Sequence, residues 1–385
     1  MLSEPVYLDF NATTPVDPEV AAAMRPFLEG FYGNPSSIHA YGREARNAID
    51  EARDTVARAL GAKPAEIIFT SGGTESDNLA ILGLARRHRE RGRHLVTTQI
   101  EHHAVLHAFE YLQREEGFEV TFLAPDSLGR ISEEAFEKAL RPDTILASVM
   151  SANNETGVLQ PVGRLAALAL ARGVLFHTDA IQSFGKLRVA PHEWGVDAMS
   201  LCSHKFYGPK GAGMLFLKHG LPIDTIHYGG FHEGDRRPGT ENVAAIVGFA
   251  KAVQLAVARD FDAEDARLRG LTEKLWDMVG QLPGARRNGD PVRRLGNTLN
   301  VSFAGLDGEE LLINLDLEGI AISSGSACMV GSVQASHVLL AMGVPEQIAR
   351  ATVRFSLGKS TTEADIVRAG QATCAVVERL RKLRG

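Results

Sequence analysis

The chain predicts an α/β fold: a large domain built on a mainly parallel seven-stranded sheet covered on both faces, followed by a smaller C-terminal α/β domain. Three observations carry this. Short apolar runs alternate with amphipathic stretches over most of the chain. The glycine-rich and polar tracts come directly after those apolar runs, where ligands gather in open α/β sheets. Beyond Pro283 the rhythm changes. With 385 residues, 44% of them hydrophobic, the chain has material for more than one core.

The expected strands are Ile67–Thr70, Leu95–Thr98, Val120–Leu123, Ile145–Val149, Leu175–Thr178, Ala198–Leu201 and Met214–Leu217. Between them, helical spacing predicts Ala40–Leu60, Thr74–Arg89, Ala104–Glu115, Glu133–Leu140 and Gly163–Arg172. A long helical stretch, Asn242–Val279, is expected to break at Asp262-Ala263-Glu264. Thr298–Phe303 and Thr352–Ser356 follow as strands, Gly308–Leu317 as a helix, and Glu363–Leu383 as a C-terminal helix. The division is set at residues 15–260 for the large domain and 1–14 with 261–385 for the small one.

Composition excludes several classes. The net charge is -6 and no long single-sign run occurs, which argues against a nucleic-acid or membrane-surface partner. Three cysteines without close pairing make neither a disulfide framework nor a zinc site, so no metal is expected. Met1-Leu2-Ser3-Glu4-Pro5 has no signal-peptide pattern, and no apolar run approaches the roughly 18 residues of a membrane span. The expectation is a soluble cytoplasmic protein.

Four tracts carry chemistry. Ser71-Gly72-Gly73-Thr74-Glu75-Ser76 follows a strand and opens a helix. Glycines there let the backbone approach an anion, and the helix start supplies N–H donors. The plainer alternative is a Gly-Ser turn with Thr74 as helix cap. Asp179 ends an apolar strand, where a carboxylate can hold a pyridinium nitrogen protonated or simply cap a turn. Lys205 follows the strand Ala198–Leu201, and a lysine that loses its proton can form an imine with a cofactor aldehyde. Lys210 is its rival, in a Pro-Lys-Gly turn. Cys328, in Ser323-Ser324-Gly325-Ser326-Ala327-Cys328, sits among small residues. A thiol there can act as a nucleophile.

These tracts, with Tyr7–Pro15, Gly33-Asn34-Pro35-Ser36-Ser37, Glu101-His102, Ala152–Gly157, His177–Gln182, Ser203–Gly211, Arg237–Asn242 and Arg354–Gly358, resemble cysteine desulfurases of the NifS/IscS type, within the class V aminotransferases. The resemblance runs almost end to end. It implies the pyridoxal phosphate (PLP) fold type I and a cofactor bound to Lys205. Asp179 would pair with the ring nitrogen and Gln182 with the ring hydroxyl. His102 would stack on the ring and exchange protons, while Gly73, Thr74, Cys202 and His204 would hold the phosphate. Thr240 would reach the cofactor from a second subunit, hence a homodimer. Asn154 and Arg354, an arginine otherwise unpaired in a strand, would bind the carboxylate of L-cysteine. Cys328 would take the substrate sulfur as a persulfide, release alanine, and pass the sulfur to an iron–sulfur scaffold or a thiolation enzyme. Two alternatives stay open: a selenocysteine lyase or other PLP enzyme of the same class, and a sulfur-delivery scaffold with little turnover.

The chain departs from the family pattern twice. Cys202 stands where a phosphate-binding serine is usual, and a thiol is the weaker donor. Ser203 is a poor substitute, because neighbouring strand residues face opposite ways. The tract Gly229–Pro238 also differs, at Phe231, His232, Gly234 and Asp235.

Overall fold

The computed structural model describes residues 5–324 and 335–384. Cys328 lies outside the described residues.

A seven-stranded sheet forms the centre. Its strands lie in the order Ile67–Thr70, Gly213–Leu217, Ala198–Cys202, Leu175–Asp179, Thr144–Ser148, His94–Thr98, Glu119–Leu123. All pairings are parallel except those of Gly213–Leu217, which runs antiparallel to both neighbours. The connection from Cys202 to Gly213 is too short for a crossover helix, so the chain turns back on itself, and Lys205 lies in that turn.

Every strand expected in this sheet is present within a residue of its predicted start and end. The near-continuous apolar runs fit a sheet buried on both sides. One apolar cluster packs Val149, Phe176, Leu201, Phe206 and Phe249 on one face, and a second packs Leu84, Leu95, Val105, Phe109 and Leu215 on the other.

The helix Ala40–Leu60 shows why the pattern was readable. It buries Ala45, Ile49, Ala52, Val56 and Leu60 on one stripe and ends at Gly61, whose φ of 64° suits a glycine cap. The helix Pro18–Glu29 was not expected, because two prolines interrupt the pattern. Pro18 occupies the first turn, where its missing N–H costs nothing, and Asp17 accepts from Glu19 N. The break in the long helical stretch is also corrected. The helices are Val243–Val257 and Phe261–Val279, since the Asp260 carboxylate caps the second by accepting from Ala263 N at 3.0 Å.

A further apolar cluster joins Val6 and Leu8 to Leu275, Leu299, Val353, Phe355 and Val377. Its antiparallel sheet orders Thr352–Ser356, Thr298–Phe303 and Ala285–Asn288. The last strand was missed, because Ala285-Arg286-Arg287-Asn288 carries no apolar alternation. The first residues belong here too: Val6–Tyr7 pairs in parallel with Ile320–Ala321. From that pairing the chain crosses to the central sheet, and residues 11–14 meet the turn holding Lys205. Among the described residues no helix is long and apolar enough to cross a membrane.

Candidate active site

The strand ends Asp179 and Cys202, the helix start at Gly73 and the small-sheet strand Thr352–Ser356 converge on a cavity of about 520 Å³. Of the residues singled out in the sequence, Gly73, Thr74, His102, Asn154, Asp179, Gln182, Cys202, His204, Lys205 and Arg354 all line it. Thr240 does not; it is exposed on the surface.

Lys205 is held by the backbone of the crossing segment. Its Nζ donates to Asn11 O at 2.7 Å and Ala12 O at 2.8 Å. Burial is the first cause that pulls its pKa down to about 8, from an ordinary 10.5, and Arg354 adds to it. A neutral amine is therefore within reach near neutral pH. Two residues on, Tyr207 has a φ of 71°, rare for a side chain of this size. Its backbone N–H donates to Thr14 Oγ1 at 2.8 Å, and its hydroxyl accepts from Lys359 N at 2.7 Å. The strained turn is thus held from both ends. Lys210 does not line the cavity.

Asp179 is buried, and its Oδ1 accepts from Ile181 N at 2.8 Å. Burial raises its pKa to about 6. Asp77 and Glu101 are buried nearby, so three carboxyl groups crowd one region. Both oxygens of Asp77 lack a hydrogen-bond partner among the described residues, and burial holds this group well above the carboxylate range. Glu101 accepts from Thr98 Oγ1 at 2.7 Å and Met150 N at 3.0 Å, and burial pushes it up to about 8.

His102 caps the next helix: its Nδ1 accepts from Ala104 N at 3.1 Å. Burial first, then Lys205, holds its pKa to about 4, so the ring is neutral. His103 reads in sequence as a surface helix start. It does begin the helix His103–Glu115, and it also lines the cavity, with its ring 4.6 Å from that of His337.

The helix Gly73–His88 starts without a side-chain cap. A Cβ on Gly73 would stand 2.2 Å from Cδ1 of Ile181, so glycine lets the helix start close on the Asp179–Gln182 turn without displacing the Ile181 side chain. Cys202 is buried, with Sγ 3.8 Å from Ala212 O. Ser203 faces away, as strand alternation requires: its hydroxyl meets the carbonyls of Pro209 and Ala212, and it does not line the cavity. The divergent tract is anchored by Glu233, which takes a bidentate bond from Arg53 and one from Phe69 N at 2.9 Å. Glu233, Gly234 and Asp235 all have positive φ, so this tract is a tight left-handed turn. Arg237 pairs with Glu75 at 2.7 Å, tying the same tract to the helix start.

The sequence suggests an unpaired Arg354, but the structure pairs it. Its Nη2 meets Asp9 Oδ1 at 2.7 Å and its Nη1 donates to Asn154 O at 2.9 Å. Its Nε is buried without a partner among the described residues.

Asp9 and Asn11 are the functional residues that sequence reasoning named only as part of a motif. Asn11 donates to Asn154 O and Thr298 Oγ1, accepts from Asn297, and offers its carbonyl to Lys205 and Gln182. The signal was a polar pair placed directly after an apolar run.

In chemical terms the cavity joins an uncapped helix start for an anion, a buried carboxylate for a cation, a desolvated amine for a carbonyl, and a guanidinium for a carboxylate.

Residues 6–368 match the family described as aminotransferase class-V. The chain belongs to this family. Class V relatives include a protein of Dictyoglomus turgidum named cysteine desulfurase IscS, 46% identical over 379 residues, covering 98% of this chain and 96% of that protein. A solved NifS-like protein superposes with a TM-score of 0.90 at 38% identity, over 98% of this chain and 99% of that one. The structure described as SspA in complex with cysteine gives 0.80 at 37% identity, over 91% and 98%.

The Glu101 carboxyl yields a stability prediction. Its folded pKa, about 8, lies above the ordinary 4.5. The unfolded chain therefore releases this proton first, and stability falls as pH rises between those values. Glu101→Gln removes the effect. Its unfolding midpoint in urea should gain on the wild type from about pH 5 to about pH 8 and level off above. A constant difference would contradict the assignment.

Proposed function

We propose that this protein is a PLP-dependent cysteine desulfurase that converts L-cysteine to L-alanine and carries the sulfur as a persulfide on Cys328. The observation that carries the reading is the meeting of the Lys205 amine, the Asp179 carboxylate and the Arg354 guanidinium in one cavity. Strong similarity to a protein named cysteine desulfurase IscS supports it.

The residues present fit the cofactor. The uncapped helix start at Gly73, with Thr74, Cys202 and His204, would hold the phosphate, and Asp179 and Gln182 the ring nitrogen and hydroxyl. When bound, PLP supplies a carbonyl for the substrate amine and an electron sink that stabilises negative charge at the substrate Cα. Lys205, neutral in part at physiological pH, would hold the cofactor through its amine and, when free, would be placed to take the Cα proton. Arg354 and Asn154 orient the substrate carboxylate. The uncharged His102 ring lines the cavity, where it would lie against the cofactor ring, and has Nε2 left to carry a proton. The Cys328 thiolate then attacks the substrate sulfur. An S–S bond forms and the sulfur–carbon bond breaks with its electron pair left on carbon; one thiol proton ends on Cβ, the other stays with the persulfide, and the Cα proton held by Lys205 is returned to complete alanine. No external oxidant or reductant is needed.

We assign residues 15–260 to a large domain and residues 1–14 and 261–385 to a small one; one apolar cluster lies wholly within the small domain, while the cluster of the large domain also takes in Val338, Leu339 and Met342. It acts as a homodimer. Tyr228, Phe231 and Ile38 are each 90% exposed or more, Thr240 is exposed as well, and a second copy would cover them. Its three cysteines and its persulfide chemistry suit the reducing cytoplasm. The acceptor is an iron–sulfur scaffold or a thiolation enzyme.

Two tests follow. Lys205→Ala should abolish the visible absorbance of PLP-loaded protein; its persistence would move the role to Lys210. Cys328→Ser should load PLP normally yet show no added sulfur atom by mass spectrometry after exposure to L-cysteine, whereas the wild type gains one. Undiminished alanine release by this variant would remove Cys328 from the reaction. Cys202→Ser should keep activity and tighten PLP binding severalfold by equilibrium dialysis, since a hydroxyl donates better than a thiol. Weaker binding would show that the thiol is not a compromise.

A further inference from the structure

Gln182 is fixed on both sides of its amide. Its Oε1 accepts from Nζ of Lys186 at 2.8 Å, and the same Nζ donates to the Gln182 backbone carbonyl at 3.0 Å. On the other side, Nε2 donates at 2.9 Å to Asn11 O, the carbonyl that also receives Lys205. The amide nitrogen and oxygen are told apart by their partners, and here the partners decide. An ammonium offers only donors and a carbonyl only accepts. The oxygen must face Lys186 and the nitrogen must face Asn11. One Nε2 hydrogen is used, and the other is the amide's remaining donor beside the cavity that Gln182 lines.

We propose that Lys186 is a positioning residue: it locks the Gln182 carboxamide so that Gln182 can only donate, never accept, toward the ring oxygen of the cofactor. This rests on the PLP reading above. A donor stabilises the anionic form of that oxygen and so lowers the proton affinity of the bound chromophore.

The surroundings favour orientation over charge as the role of Lys186. Burial, with the nearby Lys205 and Arg354, pulls its pKa down to about 7. On its far side lies a cavity of about 30 Å³ bounded by Lys205, Arg259, Glu264, Asp265 and Lys359. An amine that has lost its charge still has two hydrogens for its two acceptors, so the lock outlasts the charge.

The experiment is a double-mutant cycle on PLP-loaded protein, read as the pH midpoint of the cofactor's visible absorbance. Lys186→Met should raise the midpoint by about one pH unit, the scale of one hydrogen bond to a charged group. Lys186→Arg, which keeps the donors, should restore it. In a Gln182→Ala background, Lys186→Met should add no further shift. An equal shift there would overturn the proposal, because Lys186 would then act through space as a charge; so would an unmoved midpoint in Lys186→Met. Should Lys186→Met not fold, Gln182→Glu provides the same reading. Its acceptor-only side chain should raise the midpoint, and an unchanged midpoint overturns the proposal. Wild-type protein that takes up no PLP would overturn the cofactor reading instead.

Discussion

The site depends on one desolvated amine. Lys205 sits at the turn that reverses the sheet, and its charge is met by two backbone carbonyls, Asn11 O and Ala12 O, rather than by a carboxylate. A carboxylate partner would hold the proton on. Carbonyls satisfy the N–H groups without fixing the charge, so burial can bring the pKa down toward neutrality. The strained Tyr207 turn and the closed approach at Gly73 both serve to place this amine between an anion cradle and Asp179.

The carbonyls come from a segment that belongs to neither sheet. Residues 6–7 pair with the small sheet's neighbour strand, and Asn11 binds Thr298, Asn297 and Asn154 while it accepts from Lys205 and Gln182. Arg354 reaches in from the small sheet and is braced by Asp9 of the same segment. The Arg354 and Lys205 sides of the cavity are therefore joined through residues 9–12. Buried polar networks of this kind specify one arrangement when every member is satisfied. The exceptions here, Asp77 and Arg354 Nε, both belong to residues that line the cavity.

The central sheet was legible because its strands carry mostly apolar runs bounded by polar and glycine-bearing loops, so Ile67–Thr70 through Gly213–Leu217 stand out. What the sequence hid has specific causes. The helix Pro18–Glu29 carries prolines at positions where helices tolerate or absorb them. The strand Ala285–Asn288 lies at a sheet edge with charged side chains. In the site, Lys205, Asp179 and Arg354 could be named because motifs mark them. Asn11 acts mainly through its backbone carbonyl, which no residue type reveals. Lys186 acts on another side chain, and His337 reaches His103 across more than two hundred residues of sequence, contacts that only the fold creates.

The central claim is that sulfur leaves L-cysteine for a thiol of this chain. The most direct measurement is alanine released by PLP-loaded protein from L-cysteine, with and without a thiol reductant. The account predicts continued release with reductant and a stall near one equivalent per site without it. No alanine under either condition would contradict it.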